Sequence, residues 1–164
     1  MELYLVRHGI AADVSEYVQD EDRPLTDKGK EKTHKVAERL YAINVRWDRI
    51  LTSPLIRAQQ TAEILKAAGL SEEIETFPPL APSGKVQDWL DWYEQWRYNE
   101  NKISLALVGH QPNLGNWAET LLWGSATGRF LLKKAGVIGL NLPEAGNPVA
   151  NSELFLFTSP KWLL

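Results

Sequence analysis

Leu3-Tyr4-Leu5-Val6-Arg7-His8-Gly9 opens the chain with four apolar residues and closes them on an arginine, a histidine and a glycine. An unbroken apolar run of this length predicts a strand buried on both faces, the kind found in the parallel sheets of α/β proteins. Polar residues at the carboxyl end of such a strand face the usual ligand crevice. The pattern returns at Leu105-Ala106-Leu107-Val108-Gly109-His110. Two strand-end histidines in one small domain, one of them beside an arginine, point to phosphate handled between them.

Working outward, the sequence predicts strands over residues 2–6, 47–51, 74–77, 104–108, 137–142 and 153–157. Thr26, after Arg23-Pro24-Leu25, is placed to cap a helix whose buried face holds Ala37, Leu40 and Tyr41. Ser53-Pro54 reads as N-cap and first residue of a second helix, with Ala58, Ala62 and Leu65 inward and Gly69 as its stop. Pro78-Pro79-Leu80-Ala81-Pro82 excludes regular helix. A third helix is expected over 86–98. A fourth opens at Pro112, with Leu114, Trp117, Ala118, Leu121 and Leu122 on one face. A Pro- and Gly-containing loop at 143–151 joins the last two strands as a hairpin. Strands alternating with helices, then a hairpin, predict a single α/β domain over 1–164: a three-layer α/β/α sandwich with a mixed, mostly parallel central sheet.

The 164 residues, 44% hydrophobic and 24% charged, suit one domain with a sizeable core. A net charge of -3 argues against a general nucleic-acid binder. The absence of cysteine excludes disulfides, thiolate metal sites and cysteine nucleophiles. No apolar run is long enough to span a bilayer, and no basic segment followed by an apolar stretch opens the chain. The expectation is a soluble cytoplasmic protein with no cofactor, no resident metal and no membrane contact. The sequence is silent on oligomeric state.

Arg7 and Arg57 complete the chemistry. Arg57 falls in the first turn of the second helix, where backbone N–H groups and the helix dipole favour an anion. Arginine donates paired hydrogen bonds to phosphate and keeps its charge at any working pH. Phosphoryl transfer needs in-line positioning and stabilised charge on the equatorial oxygens. Two arginines and one histidine can supply that, while the other histidine attacks phosphorus through a neutral ring nitrogen. Its second nitrogen needs a partner to fix the tautomer, and a nearby backbone carbonyl is expected. Taken singly, each of these four residues fits a structural or surface role equally well.

Together the motifs are specific. Leu5-Val6-Arg7-His8-Gly9, the stretch from Ser53 to Ala62 and Val108-Gly109-His110 resemble, in order, the three motifs of the histidine phosphatase superfamily, which has the phosphoglycerate mutase-like fold. The resemblance runs from Glu2 to Phe157. It implies His8 as the phosphorylated nucleophile and Arg7, Arg57 and His110 as the phosphate pocket. Arg23-Pro24-Leu25-Thr26, Leu80-Ala81-Pro82-Ser83-Gly84 and His110-Gln111-Pro112 are similar to the small phosphohistidine phosphatases of the SixA type. Mutases and many ester phosphatases of the superfamily carry a carboxylate general acid between the second and third motifs. Here the corresponding loop, Pro79-Leu80-Ala81-Pro82, has none, although Asp13, Glu16 or Glu119 can be imagined swinging in. General acid help is worth about 10²–10⁴-fold, and an alkoxide needs it far more than an imidazole.

The resemblance therefore implies a protein phosphohistidine phosphatase whose partner is a phosphorylated histidine phosphotransfer domain or another phosphohistidine protein. Its rivals are a small-molecule phosphomonoesterase or mutase of the same fold, and a catalytically weak regulator that only binds phosphoproteins. Among the remaining features, His34 lies on a charged helix face. Trp89, Trp92 and Trp96, with Tyr93, have the spacing of a core-facing helix stripe. Asp20-Glu21-Asp22 reads as a solvated loop that helps order Arg23. Lys133-Lys134 is a candidate contact for an acidic partner.

Overall fold

The computed structural model describes residues 1–98 and 104–164. Strand β1 (Glu2–Arg7) sits inside a six-stranded sheet. It pairs in parallel with β4 (Ser104–Gly109) on one side and antiparallel with β5 (Val137–Asn141) on the other. β2 (Arg49–Thr52) and β3 (Ile74–Thr76) extend the parallel half, and β6 (Glu153–Thr158) closes the antiparallel half as the hairpin partner of β5. The order is β3-β2-β4-β1-β5-β6. This is the mixed, mostly parallel sheet the strand runs predicted.

The side-chain alternation of β1 builds both faces of the core. Leu3 and Leu5 enter one apolar cluster, while Tyr4 and Val6 enter the other. The first cluster is covered by α3 (Val86–Trp96) and α4 (Asn113–Trp123), through Trp89, Tyr93, Leu114, Trp117 and Leu121. The second is covered by α1 (Asp27–Ala42) and α2 (Ile56–Ala67), through Val36, Leu40, Ala58, Ala62 and Leu65. The short α5 (Pro160–Leu163) adds Leu163 on that side. The tryptophan-rich stripe of α3 is thus core: Trp89, Tyr93 and Trp96 are buried, and Trp92 packs at the edge.

Two local expectations need correction. Tyr41 does not belong to the buried stripe of α1: it is 45% exposed, and the Arg46 guanidinium lies over its ring. The inward positions are Thr33, Val36, Ala37 and Leu40, and Tyr41 sits in the last turn beyond them. Second, α2 begins at Ile56 with Leu55 at its N-cap, so Ser53 does not cap it. Thr26 caps α1 as expected, its hydroxyl accepting from the Gly29 N–H at 2.9 Å.

The loop after β1 is pressed into the first turns of α1. A Cβ on Gly29 would stand 2.1 Å from the Ile10 carbonyl oxygen, and one on Gly9 would stand 2.4 Å from Thr33 Oγ1. The Thr26 N–H donates to that same Ile10 carbonyl at 2.9 Å, so the loop cannot back away without losing a bond. Gly29→Ala therefore destabilises the fold by about 2 kcal/mol, although alanine is favoured over glycine within a helix by about 1 kcal/mol. Urea denaturation of the two proteins measures the difference, and a more stable alanine variant would refute the tight approach.

Candidate active site

Parallel pairing aligns Arg7 with Gly109, and the His8 N–H continues the ladder to the Gly109 carbonyl at 3.0 Å. His8 and His110 are therefore the next residues on two adjacent strands that end level. Their rings approach to 5.2 Å between centroids. α1, which follows β1, and α4, which follows β4, lie on opposite faces of the sheet. The gap between β1 and β4 is thus a topological switch point, where α/β proteins place their ligands.

The His8 Nδ1 lies 2.7 Å from the Gly9 carbonyl oxygen. That carbonyl accepts the Nδ1 proton of the neutral ring and leaves Nε2 with its lone pair free. Gly9 is itself held by Thr61, whose hydroxyl accepts the Gly9 N–H at 3.1 Å and donates to the Arg57 carbonyl at 2.8 Å. His110 is tied at its other nitrogen, Nε2, which lies 2.7 Å from the Ser53 hydroxyl. Ser53 Oγ also accepts the Leu55 N–H at 3.2 Å. We assign the hydroxyl proton to the bond with Nε2, which makes Nδ1 the protonated donor of neutral His110. Ser53 is fully buried and belongs to the site.

Arg57, 4% exposed, donates from Nη1 to the Asp20 carbonyl at 2.7 Å and from Nη2 to the Asp20 carboxylate at 2.8 Å. The other carboxylate oxygen of Asp20 takes Arg23 Nε at 2.8 Å and Nη2 at 2.7 Å. Arg7 is anchored by an Nη1 bond to the Leu132 carbonyl at 2.9 Å. Three buried donors in these residues, Arg7 Nε, Arg57 Nε and His110 Nδ1, have no hydrogen-bond partner within the protein. Buried donors without partners are rare in folded proteins. An oxyanion between the two strand ends is the chemistry that suits this set.

The electrostatics follow from burial and crowding. Burial pushes the His8 pKa down to about 3, the Gly9 carbonyl opposes the shift, and His110, Arg57 and Arg7 add to it. Burial and then Arg57 lower His110 to about 4, with Asp20 pulling the other way. Both rings are neutral near pH 7. Burial raises the Asp20 pKa, but the bonds from Arg57 and Arg23 outweigh it and hold the carboxyl below its ordinary range.

The three carboxylates considered from the sequence are otherwise engaged or exposed. Glu119 is fully buried and accepts the N–H groups of Thr127, Gly128 and Arg129 at 2.8–2.9 Å, which pins the loop leading to Leu132. Asp13 is exposed and caps Ser15. Glu16 is exposed in the short 3₁₀ turn Val14–Glu16. The loop at 79–82 lies beside β4: the Leu80 carbonyl oxygen is 3.5 Å from where a Gly109 Cβ would stand. It brings no carboxylate with it. The carboxylate that does reach the site is Asp20: its hold on Arg23 agrees with the sequence, whereas its bonds to Arg57 and the Ser53–His110 contact are not legible there. Among the described residues no group of three or more His, Asp or Glu side chains is placed to hold a metal ion. Among the described residues no helix is long and apolar enough to cross a membrane.

Two arginines and two histidines thus stand about the switch point of a doubly covered α/β sheet. The histidine phosphatase superfamily (branch 1) matches residues 3–103, and the chain belongs to that superfamily. It is 51% identical to an uncharacterized protein of Picosynechococcus sp. over 165 residues, covering 100% of this chain and 99% of the relative. It is 30% identical to the phosphohistidine phosphatase SixA of Escherichia coli over 155 residues, covering 94% and 93%. The solved structure of the protein histidine phosphatase SixA complexed with tungstate superposes with a TM-score of 0.86 at 28% identity, over 100% of both chains.

Two predictions follow from the buried rings. The unfolded chain titrates its histidines near 6.5, whereas His8 and His110 titrate near 3 and 4 when folded. Below 6.5 the unfolded state binds more protons, so stability falls as the pH drops toward 4, by up to about 1.4 kcal/mol per pH unit for each ring. His110→Asn removes one ring's share of that slope in a urea-denaturation series, and an unchanged slope would contradict the lowered value. Ser53→Ala frees the His110 ring and lowers kcat on an aryl phosphate by on the order of tenfold. Its melting temperature reports separately whether the fold has been harmed.

Proposed function

We propose that this phosphatase acts on phosphohistidine carried by a protein, such as a histidine phosphotransfer domain or another phosphohistidine carrier. The observation that carries this reading is that Arg7, Arg57 and His110 each keep a buried nitrogen without a protein partner, while the nearby carboxylate, Asp20, is ionised and held by two arginines. Such a pocket suits a phosphoryl group but offers no ready acid to a leaving alkoxide. The similarity to SixA supports the same assignment.

In the proposed reaction the phosphoryl group enters against Arg7, Arg57 and the His110 Nδ1–H. His8 Nε2 attacks phosphorus in line, a P–N bond forms to His8, and the P–N bond to the substrate imidazole breaks. The departing imidazole nitrogen takes a proton from solvent. Water then attacks phosphorus, the bond to His8 breaks, and inorganic phosphate leaves with His8 neutral again. The arginines and His110 stabilise the equatorial oxygens in both steps. An anion beside His110 raises that ring's pKa from its low value in the free protein.

The test compares a protein phosphorylated on histidine with a generic aryl phosphate. The expected kcat/KM is at least 10²-fold higher for phosphohistidine, the lower end of what a general acid contributes. Acid quenching during turnover traps an acid-labile phosphoryl group on His8, and His8→Ala abolishes both turnover and label. Equal or better hydrolysis of the ester would overturn the substrate assignment, and undiminished turnover by His8→Ala would overturn the nucleophile.

A further inference from the structure

Arg7, whose charge acts on His8, also lines a groove of about 500 Å³ on the protein surface. The charged residues lining that groove are Arg7, Lys32, Lys133, Lys134 and Lys161, with no carboxylate among them. This is a dense cationic surface on a chain whose net charge is -3. None of the four lysines forms an ion pair among the described residues. Burial lowers the Lys134 pKa, and the charges of Arg7, Arg23 and Arg57 lower it further, so the groove and the phosphate site share one positive field.

The groove is fixed to the site by the backbone. The Ala135 N–H points at the Arg7 and His8 carbonyls, 3.1 Å from each, and the Leu132 carbonyl holds Arg7. The Lys133-Lys134 segment is thereby tied to the end of β1. The groove also continues into a second, smaller hollow, with which it shares Lys133 and Ser159. That hollow is apolar: Leu131, Phe157 and Trp162 line it, and they are 65%, 44% and 79% exposed.

We infer that this continuous surface docks the substrate phosphoprotein, taking an acidic stretch beside the phosphohistidine along the lysines and an apolar side chain against Trp162. The inference rests on the phosphohistidine reading above. Charge complementarity selects an anionic occupant, and continuity through Arg7 places that occupant next to the phosphoryl group. The apolar hollow selects a protein over a small second anion, because exposed tryptophan beside a charged rim is the composition of a protein contact. The lysines supply flexible point charges and no fixed fork, which suits steering and register more than recognition of one rigid group. A concave groove that Arg7 lines suits a chain segment better than a flat bilayer.

The test uses two synthetic phosphohistidine peptides of equal length, one flanked by glutamates and a leucine, the other by glutamines and glycine, together with free phosphohistidine. The wild-type protein should turn over the acidic peptide with a kcat/KM about tenfold above the neutral one. The difference should lie in KM and shrink as salt is raised. Combined Lys32→Gln, Lys133→Gln and Lys161→Gln substitutions should erase the preference, and free phosphohistidine should lose no more of its kcat/KM than the neutral peptide does. Trp162→Ala should reduce it. The same kcat/KM for both peptides, or a preference that survives the triple substitution, would overturn the docking surface while leaving the phosphatase reading intact. No turnover of any phosphohistidine substrate would overturn both. Cosedimentation with phosphatidylserine vesicles, lost in the triple variant and without any peptide preference, would assign the surface to an anionic membrane instead.

Discussion

The parallel register between β1 and β4 is the constraint on which the site depends. Because Arg7 is level with Gly109, the two strands deliver His8 and His110 to the same height with their rings 5.2 Å apart. A two-residue shift in that register would separate the rings by more than 6 Å along the strands. The register is held by apolar alternation, since a one-residue slip would exchange the faces on which Leu3, Leu5, Tyr4 and Val6 are buried. The geometry of the chemistry is therefore fixed by the packing of the core beneath it.

Around that pair the chain concentrates positive charge, and it contains the resulting repulsion in two ways. The first is neutral imidazole: burial keeps both histidines uncharged, so the arginines meet polar rings rather than further cations. The second is Asp20, which bonds Arg57 and Arg23 through its two carboxylate oxygens and so sets Arg57 in place from the side. Its ionised carboxylate lies within a cationic set and supplies the buried Arg57 with a counter-charge. Glu119 acts at longer range. It pins the 127–129 loop, and the same chain segment then supplies the Leu132 carbonyl that holds Arg7.

The parts legible in the sequence are those written in periodicity and local chemistry. The apolar runs ending at His8 and His110, the Thr26 cap, the Gly69 stop and the tryptophan stripe of α3 each depend on residues close together in the chain. The helix-start expectation for Ser53 fails for a physical reason. Serine before proline is a good helix-start signal, but here the hydroxyl turns to a histidine 57 positions away. Asp20 looked like solvated loop because its charge run is local, whereas its partner Arg57 is 37 positions distant. Glu119 looked like a movable acid, and only the fold shows that three backbone amides occupy it. Polar partnerships that cross the sheet leave no periodic trace, and these make up much of the site.

The same distribution of labour bears on substrate choice. The proposed pocket reads a phosphoryl group through arginine and histidine donors, and those donors would bind the phosphoryl group of any carrier equally. Without a dedicated acid, leaving-group basicity becomes the first filter, since an imidazole departs where an alkoxide stalls. That filter separates phosphohistidine from ester but cannot separate one phosphohistidine protein from another. Discrimination at that level requires contacts made outside the pocket, because selectivity is a difference between affinities and the shared phosphoryl group contributes nothing to it. The cationic groove that begins at Arg7 and ends at Trp162 is where such contacts can be made without altering the chemistry at His8.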